Sequence, residues 1–102
     1  MGENKIAVEL ADLPQKELAA IFKQGVVLRL PYLEGRLQRA EREIQLFEKR
    51  YKTSLAKLKT IGLPDNAGHE MHEDFIEWEY WNDVLNETKE TIARIKKLAT
   101  RL

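Results

Sequence analysis

Cysteine is absent from this chain of 102 residues. That excludes disulfides and zinc–thiolate sites and leaves the redox compartment unreadable from cysteine usage. Serine is nearly absent: Ser54 is the only one, and the nearest histidine lies beyond a turn-forming segment. Nucleophilic catalysis therefore has little to start from. No apolar run approaches the ~18 residues of a membrane span. A dominant sign of charge is missing too. Seventeen basic residues face seventeen acidic ones, which argues against non-specific nucleic-acid binding through the field of the whole molecule and favours association. The opening MGENKIAVEL has neither the basic nor the apolar region of a signal peptide, and no Ser or Thr completes a myristoylation motif after Gly2. A cytoplasmic protein is the expectation.

What the chain does have is hydrophobic periodicity, enough for one domain over residues 1–102. In residues 1–12, Ile6, Val8 and Leu10 alternate as in a short strand or extended arm. Residues 13–24 predict a short helix, with Asp12 as N-cap, Gln15 completing a capping box, Pro14 in the first turn and Gly25 as the stop. Residues 31–60 predict a long helix that Pro31 begins, or kinks if it already includes Val26–Leu30. Leu30, Leu33, Leu37, Ala40, Ile44, Phe47, Tyr51, Leu58 and Ile61 form a heptad seam with one polar gap, Ser54, flanked by Leu55. Breakers fill residues 62–70, GLPDNAGHE, so the chain turns there. A second long helix follows over 71–101. Met71, Trp78, Leu85, Ile92 and Ala99 recur every seven residues, with Trp81, Thr88, Ile95 and Leu102 three further on.

Two seams of equal length joined by a short turn predict an all-α fold: a long, coiled-coil-like antiparallel helical hairpin. Charge supplies a separate argument. Residues 49–59 carry Lys49, Arg50, Lys52, Lys57 and Lys59 with no acid, and residues 70–87 carry Glu70, Glu73, Asp74, Glu77, Glu79, Asp83 and Glu87 with no Lys or Arg. Folding back at the turn sets these blocks side by side, at ~0.5 kcal/mol per exposed pair.

A two-helix hairpin buries one stripe per helix, which barely offsets the ordering entropy of the chain. The N-terminal apolar residues Ile6, Val8, Leu10, Leu18, Ile21, Phe22, Val26, Val27 and Leu28 then predict a third layer on the open end, or a homo-oligomer, with a dimer as the first expectation.

The densest chemistry is Met71–Trp81, MHEDFIEWEYW, which holds Phe75, Trp78, Tyr80 and Trp81, four of the eight aromatics. Trp78 and Trp81 lie on the seam, with Trp81 expected near Phe47 or Tyr51. Packing within the fold is the first reading of this aromatic patch; the other is that Tyr80, on the outer face, and Phe75 anchor a partner. His69, His72 and Glu73 are the only cluster of metal-ligand types. They satisfy neither HExxH nor Glu-x-x-His, so solvated residues at a helix start are the better account, and no cofactor is expected. Arg29, Arg36, Arg39 and Arg42 make the open end basic together with Lys96, Lys97 and Arg101. Pairing with Glu34, Glu41 and Glu43 along the helix is expected to answer those arginines. Nucleic acid is an unlikely partner, since no aromatic–basic interleaving or phosphate loop is visible in the sequence.

The segment Phe47–Trp81, FEKRYKTSLAKLKTIGLPDNAGHEMHEDFIEWEYW, resembles a signature of small helical antitoxin-like proteins of archaea and bacteria. The matching positions are Phe47, Glu48, Tyr51, Glu73, Asp74, Phe75, Glu77 and Trp78, with Lys52 standing where that pattern has glycine. The resemblance implies a non-catalytic protein-binding module that masks a basic partner encoded nearby. Glu70, Glu73, Asp74, Phe75, Glu77 and Tyr80 would be its contacts. The alternative expectation is a structural coiled-coil homo-oligomer; a metal- or nucleic-acid-binding helical protein ranks below both.

Overall fold

The computed structural model describes residues 2–101, with side chains from residue 5 onward. Four helices make up its regular structure: α1 (Gly2–Ala11), α2 (Gln15–Tyr51), α3 (Leu55–Ile61) and α4 (His69–Ala99). Among the described residues there is no strand. The fold is all-α: α2 and α4 pack antiparallel into a hairpin, and the chain as a whole measures 62 × 29 × 19 Å. Among the described residues no helix is long and apolar enough to cross a membrane.

Several boundaries differ from the sequence expectation. The N-terminal arm is helical, not extended: α1 takes in Ile6, Val8 and Leu10, all of them exposed. An alternating segment without a partner strand cannot satisfy its backbone groups, whereas a helix satisfies them internally. The short helix over 13–24 and the first long helix are one element. Asp12 does not cap it; its N–H and that of Leu13 close α1 on the carbonyls of Glu9 and Leu10, and Pro14 occupies the N-cap of α2 without a side-chain bond. Gly25 does not stop the helix and Pro31 does not start it; both lie inside α2. An interior proline costs about 3 kcal/mol. It is tolerated here where Leu33, only 5% exposed, packs against the partner helix.

The long helix does not reach residue 60. It ends at Tyr51, where Lys52 adopts left-handed backbone (φ 54°, ψ 38°). Glycine fills such positions without steric penalty. The seam's polar gap then acquires a role. Ser54 is the N-cap of α3, accepting a hydrogen bond from the Lys57 N–H at 3.2 Å. The break re-aims the chain so that Leu55 and Leu58 are both buried, while Ile61, expected on the seam, is 75% exposed. Gly62, at φ 85°, closes α3 through an N–H bond to the Leu58 carbonyl. Leu102, the last expected seam residue, lies outside the described residues.

The core sits at the turn end. Ala40, Phe47, Leu55, Leu58, Trp78, Trp81 and Val84 form one cluster, flanked by Ile44, Tyr51, Leu63, Met71, Phe75 and Leu85. Trp78 is its centre, fully buried and stacked on Phe47 (5.6 Å between centroids) and Tyr51 (6.0 Å). Burying a tryptophan contributes roughly 4–6 kcal/mol. That outweighs leaving its indole N–H without an acceptor, about 1–3 kcal/mol, as it is among the described residues. Trp81 joins the same cluster as Phe47, with Tyr51 against it, as expected; it also meets Tyr80 edge-on and the Arg39 guanidinium. Beyond this cluster the open end is a two-helix ribbon in which Leu33, Thr88 and Ile92 are buried and Val27 and Leu28 are 71% and 80% exposed.

Candidate functional site

The acidic–aromatic stretch forms the first three turns of α4, and its residues part company there. Asp74 faces inward. It occupies the seam position seven residues before Trp81, and its carboxylate accepts hydrogen bonds from the Tyr51 hydroxyl (2.5 Å) and Arg50 Nη1 (2.6 Å). The Tyr51 bond holds the Asp74 carboxyl below the usual carboxylate range; partial burial opposes this, and the Arg50 hydrogen bond and charge reinforce it. Burial, and then the same carboxylate, push the Tyr51 hydroxyl up. This clamp ties the end of α2 to the start of α4, as the opposed charge blocks lead one to expect. A second link, Lys59 Nζ to Glu79 at 3.1 Å, ties α3 to α4.

Phe75 is half-buried against the core cluster. Glu70, Glu73, Glu77 and Tyr80 remain exposed. Of the six residues implied as partner contacts, the structure thus leaves these four at the surface and engages Asp74 and Phe75 internally. His69 Nε2 lies 3.0 Å from Glu73 Oε1, four residues along one helix face. His72 does not complete a triad with them: among the described residues no three His, Asp or Glu side chains are placed to hold one metal ion.

Two stripes define the hairpin's open face. On α2, Ile21, Leu28, Tyr32, Arg39 and Leu46 follow one another at intervals of seven and four and so share one side of the helix. On α4, Glu73, Tyr80, Glu87, Thr91 and Leu98 do the same, with Ile76 beside them. The two sides coincide, because Tyr32, Arg36 and Arg39 line one shallow cleft with Tyr80, Trp81 and Val84. A neighbouring cleft shares Arg36 and adds Arg29, Glu87, Thr88 and Thr91. These clefts, about 200 and 170 Å³, are below the ~300 Å³ at which small-molecule sites begin. They are furrows of an extended surface. α3 lies on the other side, since its partner Glu79 is one residue off the Tyr80 stripe and so about 100° around the helix.

On this face the arginines are not answered as the sequence suggests. Among the described residues, none of Arg29, Arg36, Arg39 and Arg42 has a carboxylate within 4.0 Å; the ion pairs formed are those of Arg50, Lys59, His69 and Arg94. Arg29 lies over Tyr32 and Arg39 over Trp81 instead, at 4.6 and 5.0 Å from the ring centroids. The first contact is local to one helix, but the second joins side chains some forty residues apart in sequence, which no local motif reveals. Val84, buried at 4% exposure, is the core residue that heptad reading passes over, because it stands beside the strict seam. No protein family, curated protein or solved structure matches the chain.

Proposed function

We propose that this chain is a non-catalytic, cytoplasmic protein-binding module that works by covering surface, its own or a partner's. One observation carries the reading. Ile21, Leu28, Tyr32 and Leu46 on α2 and Ile76, Tyr80 and Leu98 on α4 are all about half exposed or more, and they share one face of the hairpin. Scattered exposed apolar residues need no explanation, but a row of them along one face of the hairpin, interspersed with charges, supports an interaction surface.

Two forms of this function draw on different parts of the face. Masking of a small basic partner, the role implied by the antitoxin-like resemblance, would use Glu70, Glu73, Glu77 and Tyr80, with Phe75 as support from beneath and Asp74 fixing the helix on which they stand. Opposite charge would steer the encounter. Self-association would use the whole length of the face and is supported by the apolar residues of the open end. Co-expression with the product of an adjacent gene, followed by size-exclusion chromatography with light scattering, separates them. Masking requires a stoichiometric mixed complex that is lost on Glu73→Lys/Glu77→Lys. Self-association requires an oligomer that ignores the neighbour. A monomer that binds nothing would refute the proposal.

A further inference from the structure

We infer that the open face of the hairpin docks a second copy of the same chain, related by a two-fold axis running along the hairpin's length, to form a four-helix bundle. This rests on the protein-binding reading above and names its occupant.

The argument is self-complementarity of register and charge. Along α2 the face positions are 21, 28, 32, 39 and 46; along α4 they are 98, 91, 87, 80 and 73. Read in the antiparallel direction, the two sets have the same intervals. The hairpin's own register places them at matching heights: Phe47 meets Trp78, Arg39 meets Trp81, and Val26 shares a cleft with Ile95. A two-fold axis parallel to the helices keeps heights unchanged and exchanges the helices, so α2 of one copy lies over α4 of the other. Ile21 then stands level with Leu98 of the second copy, and Leu46 with Ile76. Arg36 and Arg39 stand level with Glu87 and Asp83.

Charge complementarity singles out this occupant. On the open side α2 presents Arg29, Arg36, Arg39 and Arg42, unpaired with any carboxylate among the described residues. α4 presents Glu73, Glu77, Asp83 and Glu87. A nucleic acid would answer the first stripe and be repelled by the second, and a basic protein would do the reverse. A second copy laid across in this way answers both. Area is sufficient. The 31-residue α4 runs along α2 for about 45 Å, and two helices each about 10 Å across present a face roughly 20 Å wide, comparable with the ~800 Å² per partner of a stable interface. Gly25 and Gly35 lie on the α2 side of the face with nothing within 4 Å of where a Cβ would stand, so the backbone there is open to approach.

The test uses two charge-reversed full-length chains, Arg36→Glu/Arg39→Glu and Asp83→Lys/Glu87→Lys, with helicity checked by circular dichroism. The unaltered chain is expected to sediment at twice its 11.9 kDa. Each variant alone sets like charges across the axis four times and is expected to weaken the dimer at least about 100-fold. Mixed one to one, the two variants restore opposite charges at every crossing and are expected to form a heterodimer as tight as the original dimer. Gly25→Gln provides a variant that cannot fail by unfolding, since it removes a helix-interior glycine and meets no neighbour; it is expected to leave the monomer at least as stable and to weaken the dimer. A monomeric unaltered chain overturns the inference, as does a mixture no tighter than its components. If the chain is monomeric yet forms a mixed complex with a neighbouring gene's product, the self-docking inference fails alone and the protein-binding reading stands.

Discussion

The two ends of this hairpin are built differently. At the turn end α3 brings Leu55 and Leu58 into the core shared by α2 and α4, Trp78 is fully enclosed, and the Arg50–Asp74–Tyr51 clamp pins the junction. At the open end two helices run side by side with one buried stripe between them, and apolar residues such as Val27 and Leu28 remain in solvent. Both ends have the same helical periodicity. The difference is the third element. A two-helix ribbon can enclose side chains only along its seam, whereas the leucines of a third helix help to enclose a tryptophan. Local order therefore depends on how many layers surround a residue, and a second copy would give the open end the extra layer that α3 gives the turn end.

The largest expected effect tests the turn end. Trp78→Ala should cost about 3–5 kcal/mol, measured by urea unfolding, and should expose Phe47 and Tyr51 together. A loss below 1 kcal/mol would mean that the turn end is no better packed than the open end.

Tyr51→Phe should cost about 1–2 kcal/mol at neutral pH, as for a hydrogen bond to a charged group. The sign of its pH dependence follows from Asp74. A carboxyl held below its ordinary range contributes stability that is fully present above about pH 4 and is lost as pH falls through its lowered value. The gap between the unaltered chain and Tyr51→Phe should thus narrow on acidification below pH 4, as read from denaturant midpoints across pH. A gap that widens there would place the clamp's energy elsewhere.

Lys52→Gly should raise stability by about 1 kcal/mol, because the left-handed backbone at this position penalises a side chain. Smallest of all, Val27→Lys at the open end should change the stability of the isolated chain by less than about 0.5 kcal/mol, despite replacing a large apolar residue by a charge.

The hairpin itself was legible in the sequence. Heptads on both arms and opposed charge blocks define two antiparallel helices, and Leu55 beside the Ser54 gap hinted at what fills the seam. The break at Lys52 was not legible, because Leu58 keeps the heptad phase and hides the change of direction. Pro31 left two readings open, a helix start or a position inside a longer helix, and the second is the one found; what was not legible is that the helix runs on through Gly25 back to Gln15. Asp74 escaped notice as a seam residue because a carboxylate at such a position makes sense only once Tyr51 and Arg50 are opposite it. The open face was invisible as a unit: its Arg–Tyr–Trp furrow joins residues of two helices, and only the folded register brings them together.

Residue-resolved amide hydrogen exchange at low and high protein concentration tests the contrast between the two ends most directly. Protection over Ala40–Phe47 and Trp78–Leu85 should be strong at both concentrations, whereas protection over Leu18–Leu30 and Ile92–Leu98 should be weak when dilute and rise when concentrated. Equal protection along both ends, unchanged by concentration, would contradict the account.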